Sequence, residues 1–197
     1  RQENSASDAL SALRNQKTDA TINFLQFLTI SLLSKGKPRR KITPDKKHAG
    51  KEHFMDKNNL WISSNSVTTQ LKGSSKREII EELVSLLEKS GKVNDRNQVV
   101  SDILKREAAA STFIRKEISV PHATSKGVSS ICAAAGISSK NEIYVLTVWP
   151  DCTPHNLKCI AAMINFLNEN GEIGKILSAK DNSELYQLFE KGIKKRL

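Results

Sequence analysis

The chain has few of the residues that mark several large classes of protein. Its 197 residues include three cysteines, Cys132, Cys152 and Cys159, and no Cys-x-x-Cys pair, so we expect neither a disulfide framework nor a structural zinc site. No apolar run reaches the roughly 20 residues of a membrane-spanning helix, since the best candidate, residues 22–33, is interrupted by polar side chains. Walker and Gly-x-Gly-x-x-Gly loops are also missing, which argues against nucleotide binding by those routes.

Positive charge is concentrated in one short stretch. The chain carries 31 Lys or Arg against 21 Asp or Glu, a net charge of +10, and residues 35–57 alone hold nine basic residues against three acidic ones. Such a stretch buries too little apolar surface to offset the entropy of ordering it, so we interpret residues 35–65 as a basic linker. No aromatic residue is interleaved among the charges of residues 35–53, and we therefore expect no nucleic-acid partner.

Ahead of the linker, residues 1–34 show two helical patterns. The second pattern, residues 19–34, is apolar around most of its circumference, so this N-terminal helix needs a partner surface. The partner is the main domain, a second copy of the chain in a homodimer, or a portion upstream of Arg1, and the sequence leaves all three open. Because the chain starts at Arg1 without a methionine, one interpretation makes it a fragment of a longer protein, with a membrane segment upstream.

From residue 66 to 197, short extended segments alternate with longer helical ones, a pattern typical of an α/β layered domain. The extended candidates are residues 67–71, 118–120, 129–135 and 143–148. The last candidate reads IYVLTV and is apolar like a central strand covered on both faces. The predicted helix N-caps are Ser74 or Ser75, Asn94 or Asp95, Thr153 or one of its neighbours, and Ser183.

One of the four histidines, His122, stands in a context that suits chemistry. Proline fixes its own φ and pushes the residue before it into extended backbone, so Val120-Pro121 should end a strand rigidly with His122 just beyond it. Ligands and reacting groups usually lie at that edge of an α/β sheet, and neutral imidazole is a nucleophile near pH 7. A histidine that only hydrogen-bonds a loop fits the same residues.

Short motifs surround this histidine in a fixed order. They are Arg106-Glu107, Ser111-Thr112, Val120-Pro121-His122-Ala123 and His155-Asn156-Leu157. With these motifs at this spacing, residues 66–195 resemble the enzyme IIA family of the bacterial sugar phosphotransferase system, in the mannitol/fructose branch that includes nitrogen-regulatory relatives. The resemblance implies a three-layer α/β/α sandwich around a mixed sheet, here preceded by the N-terminal helices and the basic linker.

The resemblance also implies a phosphohistidine carrier of the phosphotransferase type. His122 would accept a phosphoryl group from an HPr-type carrier protein and pass it to a membrane transporter domain. Arg106 would neutralise phosphoryl oxygens, and the hydroxyls of Ser111 and Thr112 would shape the pocket. The family needs no metal and no cofactor, because transfer to a nitrogen depends on positioning and charge stabilisation.

Three features depart from the family's outline. Residues 113–117, Phe-Ile-Arg-Lys-Glu, replace a glycine-rich loop, and bulky residues restrict a close approach of the backbone to a phosphate. Asn156, not His155, falls at the place of the family's second histidine, so both are pocket candidates although one position on a helix is about 100° of rotation. The segment between residues 135 and 143 is short for the family.

Three functions stay open at this point. The chain is a phosphocarrier acting at His122, a regulatory cytosolic domain of an ion or solute transporter that has lost phosphotransfer, or a plain interaction domain. Arg106 and His122 favour the first, whereas the N-terminal helix and the basic linker favour the second. A structural role is also open for the pocket residues, since Arg106 could be a helix-end cation beside the C-terminal dipole.

Overall fold

The computed structural model describes residues 61–151 and 153–197. The elements of the described part are β1 (Ile62–Leu71), α1 (Lys76–Glu88), α2 (Arg96–Ala109), β2 (Phe113–Arg115), β3 (Ile118–Ser119), β4 (His122–Thr124), β5 (Cys132–Ser138), β6 (Ile143–Trp149), α3 (Pro154–Asn168), α4 (Glu172–Leu177) and α5 (Asn182–Lys194). The helices predicted within residues 1–34, and the basic linker up to residue 60, lie outside the described residues. None of the helices just named is long and apolar enough to span a bilayer.

Strand β6 lies at the centre of the sheet. The strand order is β1-β5-β6-β3-β2, with β4 also paired to β6. Strands β1 and β5 pair in parallel, as do β3 with β6 and β4 with β6, whereas β5 with β6 and β2 with β3 are antiparallel. Every residue of β6 is buried, as its apolar run predicts. The prediction of a mixed sheet is confirmed.

Apolar cores cover both faces of the sheet. Alternate residues of β6 belong to different cores because successive side chains of a strand point to opposite faces. One core joins the sheet to α3 and α5 through Ile143, Val145, Met163, Phe166 and Phe189. The other core joins it to α1 and α2 through Leu146, Val148, Ile80, Leu83 and Ile103. Helices on both faces confirm the predicted three-layer α/β/α arrangement.

Side-chain caps fix where the helices begin. Three of the predicted caps are present, at Ser75 for α1, Asp95 for α2 and Thr153 for α3. The predicted cap at Ser183 is wrong. Helix α5 begins at Asn182, because Asp181 accepts a hydrogen bond from the backbone N–H of Glu184 at 2.8 Å and caps the helix two residues earlier.

Some strand bounds also differ from the sequence pattern. Strand β1 begins at Ile62, before the domain boundary expected at residue 66, and β5 begins at Cys132 instead of residue 129. The short strand β2 was not predicted, since three residues are too few to show an alternation of apolar and polar side chains. The short segment noted between residues 135 and 143 agrees with the direct β5–β6 pairing, which is closed by residues 139–142.

Candidate functional site

Strands β3 and β4 form one interrupted strand along β6, and His122 begins its second half. Both halves pair with β6 in the same register, and His122 lies beside Thr147. Pro121 causes the interruption because it has no N–H to donate, while its carbonyl accepts a hydrogen bond from Thr147 N at 2.9 Å. The prediction that His122 lies just beyond the end of the strand is therefore wrong: it belongs to the sheet, fixed by the central strand.

One hydrogen bond decides which ring nitrogen of His122 can react. The Nδ1 atom lies 2.8 Å from the carbonyl oxygen of Val120. A carbonyl only accepts hydrogen bonds, so Nδ1 carries the proton and Nε2 of the neutral ring keeps its lone pair. His122 is half-buried, its Nε2 is shielded from solvent, and its ring stacks on Trp149 at a centroid distance of 6.0 Å and an interplanar angle of 11°.

Burial makes His122 hard to protonate. Desolvation lowers its pKa from 6.5 to about 4. The hydrogen bond to Val120 and the negative charge of Glu107 act to raise this pKa, and the positive charge of Arg106 acts to lower it. Burial dominates, so His122 is neutral at physiological pH with an unprotonated Nε2, the form in which an imidazole is a nucleophile.

The lowered pKa predicts a pH dependence of stability. Between pH 6.5 and about 4 the unfolded chain binds a proton at His122 that the folded chain does not, so the free energy of unfolding falls as the pH drops through this window. The full loss is about 3 kcal/mol, reached near pH 4, and it is absent above pH 6.5. Urea unfolding across this range, compared with His122→Gln, checks the prediction. An unchanged slope in the variant would assign the effect to other groups.

A buried carboxylate, Glu107, lies next to the histidine. Its side chain is 6% exposed and accepts three hydrogen bonds, from Lys76 Nζ at 2.7 Å, from Thr112 N at 3.1 Å and from Thr112 Oγ1 at 2.5 Å. Burial acts to raise the pKa of Glu107, but the bonds from Lys76 and Thr112 outweigh it and hold this pKa below its ordinary value. Glu107 is therefore ionised at neutral pH.

A chain of hydrogen bonds joins this carboxylate to the imidazole. Thr112 donates to Glu107, and the carbonyl of Thr112 accepts a hydrogen bond from Val120 N at 3.0 Å. The carbonyl of Val120 then accepts the Nδ1 proton of His122. Glu107 thus fixes the loop that carries Thr112, and the loop fixes the carbonyl that sets the tautomer of His122.

Arg106 lies in the last turn of helix α2 and also acts on the histidine. Its Nη1 donates a hydrogen bond to the carbonyl of Ala110 at 2.9 Å. This is the contact expected if Arg106 is a helix-end cation with a structural role. Burial lowers the pKa of its half-buried guanidinium, and the charge is close enough to lower the pKa of His122. The two roles coexist in this geometry, and the structure brings together Arg106, Glu107, Thr112 and His122.

The other predicted pocket residues make local contacts. Ser111 is exposed on the loop after α2. Asn156 is buried and donates from Nδ2 to the carbonyl of Asp151 at 2.7 Å, so its amide holds the turn before α3. The Nε2 atom of His155 lies 3.8 Å from Cys159 Sγ, one helical turn away. These contacts give Asn156 and His155 positions at the start of α3 without assigning them a role at the reacting nitrogen.

Glu107 received no role in the sequence analysis, although it belongs to a quoted motif. A signal was present in the sequence. A carboxylate in the last turn of a helix opposes the helix dipole, so an acidic residue there needs a compensating partner. The sequence does not identify that partner, because Thr112 provides two donors only after the chain turns back and Lys76 lies on another helix.

The mixed three-layer sandwich thus places a histidine beside its central strand. The family described as "Phosphoenolpyruvate-dependent sugar phosphotransferase system, EIIA 2" matches residues 61–192. This match spans well over half of the chain, and the chain belongs to that family. The resemblance drawn from the motifs is confirmed.

A relative of known name agrees with this assignment. The PTS system fructose-specific EIIABC component of Bacillus subtilis (strain 168) is 32% identical over 83 residues, which are 42% of this chain and 13% of that protein. The matched region is therefore a small part of the relative's length, and the relative's further parts have no counterpart in the alignment.

Solved structures share the fold at low sequence identity. The nitrogen regulatory protein IIA-Ntr of Neisseria meningitidis superposes with a TM-score of 0.57 at 15% identity, covering 65% of this chain and 95% of that one. IIA mannitol of Escherichia coli superposes with a TM-score of 0.52 at 19% identity, covering 64% of this chain and 97% of that one. The same fold appears in the complex of enzyme IIA mannitol with phosphorylated enzyme IIB mannitol. The TM-score is 0.53 at 18% identity, and the match covers 66% of this chain and 96% of that one.

Proposed function

We propose that this domain accepts a phosphoryl group on Nε2 of His122 from an HPr-type carrier and passes it to a transporter domain or uses it for regulation. The observation that carries the proposal is the hydrogen bond from Nδ1 to the Val120 carbonyl, because it leaves the lone pair of a neutral ring on Nε2. Membership of the EIIA 2 family supports a histidine as the acceptor.

The transfer balances without any further reactant. The Nε2 lone pair attacks the phosphorus of the donor's phosphohistidine in line with the bond that breaks. A new N–P bond forms at His122, and the donor nitrogen keeps the electron pair of the old one. Since Nδ1 keeps its proton, the phosphorylated ring carries a positive charge. The Val120 carbonyl, which accepts that proton, stabilises the charged ring together with the nearby carboxylate of Glu107.

Arg106 supplies the positive charge for the phosphoryl oxygens in this proposal. A guanidinium presents a planar set of donors that suits phosphate oxygens. Arg106 is half-buried in the last turn of α2, and its charge already acts on His122. Thr112 acts through the backbone by holding Val120, and Ser111 remains a candidate donor on the same loop.

The partners and the place of action are parts of the same proposal. An HPr-type carrier would deliver the phosphoryl group, and a membrane transporter domain would receive it. The domain that begins with β1 at Ile62 would then work in the cytoplasm, linked through the basic segment before it to the helical segment 1–34. That segment would attach the domain to the inner face of the membrane or to a second copy of the chain.

A second candidate function is a regulatory domain of a membrane transporter without phosphotransfer. Two observations favour it: Nε2 of His122 is shielded from solvent, and Phe113, 43% exposed, stands where the family has a glycine-rich loop. A phosphocarrier must uncover Nε2 when its partner docks, whereas a regulatory domain has no such need.

Phosphoryl uptake distinguishes the two functions. The whole chain is incubated with phosphorylated HPr, and the bound phosphate is counted by intact mass. We expect one phosphate per chain, labile in acid and stable in alkali, as a phosphohistidine is. Absence of uptake, with a known IIA domain phosphorylated in a parallel reaction, would reject the phosphocarrier and leave the regulatory function.

A further inference from the structure

Two buried polar groups beside His122 have no hydrogen-bond partner within the described residues. They are the hydroxyl of Thr147, a residue with no exposed surface, and the indole N–H of Trp149, which is 2% exposed. Burying a donor without a partner costs free energy, and such groups are rare in folded proteins. A pair of them at one end of the central strand therefore calls for a ligand that satisfies them.

The sheet places both groups on the same face as the imidazole. His122 pairs directly with Thr147, and side chains that pair directly across two strands lie on one face. Trp149 is two residues further along β6, so its side chain is on that face as well, where its ring stacks on His122. Strand alternation thus gathers one nucleophile and two donors at the end of β6.

We propose that Thr147 Oγ1 and Trp149 Nε1 are hydrogen-bond donors for the phosphoryl group carried by His122. This inference rests on the proposed function. Phosphorylation brings three acceptor oxygens to a place where two buried donors lack acceptors, and bonds from neutral donors to a charged oxygen are the strong ones. The two donors act from the sheet side of the ring, whereas Arg106 acts from helix α2.

The test compares variants that remove a buried hydroxyl on either face of the sheet. Thr147→Val keeps the shape of the side chain and removes the donor, and Thr147→Ser keeps the hydroxyl. Ser119→Ala is the matched control, because the Ser119 hydroxyl is also buried without a partner but points to the opposite face. Each whole chain is phosphorylated with phospho-HPr, and the phosphorylated fraction at equilibrium and its rate of hydrolysis are measured.

We expect Thr147→Val to lower the equilibrium constant for phosphorylation about tenfold or more, which is the effect of one hydrogen bond to a charged group. Thr147→Ser and Ser119→Ala should stay close to the wild type. Thermal unfolding should show Thr147→Val to be no less stable than the wild type, since it removes an unsatisfied hydroxyl. A purely structural threonine would not combine unchanged stability with weaker phosphorylation.

The outcomes separate this inference from the proposed function. If the wild type is phosphorylated and Thr147→Val matches it, the proposed donors are wrong and the phosphocarrier stands. If the wild type takes up no phosphate, both fail. Trp149→Phe, which keeps an aromatic ring and removes the N–H, is the second variant. It decides the case if Thr147→Val does not fold, with a loss of phosphorylation supporting the inference and wild-type behaviour overturning it.

Discussion

Replacing His122 with alanine is expected to abolish phosphoryl uptake from phosphorylated HPr. The variant lacks Nε2, the ring nitrogen that keeps its lone pair because Nδ1 donates its proton to the Val120 carbonyl. The described residues around this position provide no other neutral nucleophile that is fixed in this way. The effect should be complete within the sensitivity of intact-mass analysis, since no bond to phosphorus can form. The variant should keep its fold, because His122 is only half-buried and the apolar cores do not include it.

His155→Ala is the matched control for this experiment. His155 lies at the start of α3 with its Nε2 atom near the Cys159 sulfur, so its removal should leave phosphate uptake intact. Circular dichroism of both variants shows whether each is folded. Uptake by a folded His122→Ala variant would move the acceptor to another residue and contradict the assignment.

The second large effect is expected at Glu107. Glu107→Ala leaves the buried donors of Thr112 and the Lys76 ammonium without their acceptor, and removing one member of a buried charged network is strongly destabilising. We expect a loss of about 2–4 kcal/mol in the free energy of unfolding, toward the lower end because Lys76 is partly exposed. Chemical denaturation measures this loss directly.

Glu107→Gln separates the position of Glu107 from its charge. Glutamine keeps the shape of the glutamate side chain and one acceptor oxygen, so we expect Glu107→Gln to be more stable than Glu107→Ala. Phosphoryl transfer by Glu107→Gln should still be slower than in the wild type, because the loop that orients Val120 and His122 loses its ionised anchor. Glu81→Gln is the control, since its exposed ion pair with Arg77 should contribute only about 0.3–0.5 kcal/mol. Wild-type stability and transfer rate in Glu107→Gln would contradict the positioning role.

The sequence predicted the architecture well where local chemistry is decisive. The caps at Ser75, Asp95 and Thr153 need only a side-chain oxygen and the next N–H groups, so they can be read from neighbouring residues. The all-apolar run of β6 indicates burial on both faces for the same reason. Asp181 was missed in favour of Ser183 because both residues can cap a helix and only the backbone turn selects one.

The site was predictable only in part. The Val120-Pro121-His122 motif marked the histidine, but its place inside the sheet depends on the pairing of β4 with β6, which residues near in sequence do not reveal. The role of Glu107 depends on Lys76, a distant residue on another helix. Thr147 reads in the sequence as one residue of a buried strand, and it stands out only because its hydroxyl has no partner next to His122.

The central claim is that Nε2 of His122 carries the phosphoryl group, and heteronuclear NMR of the phosphorylated, nitrogen-15-labelled chain tests it most directly. We predict that phosphorus couples to Nε2 of His122, while Nδ1 keeps its proton in the bond to the Val120 carbonyl. Coupling to Nδ1, or to a nitrogen of any other histidine, would contradict this account.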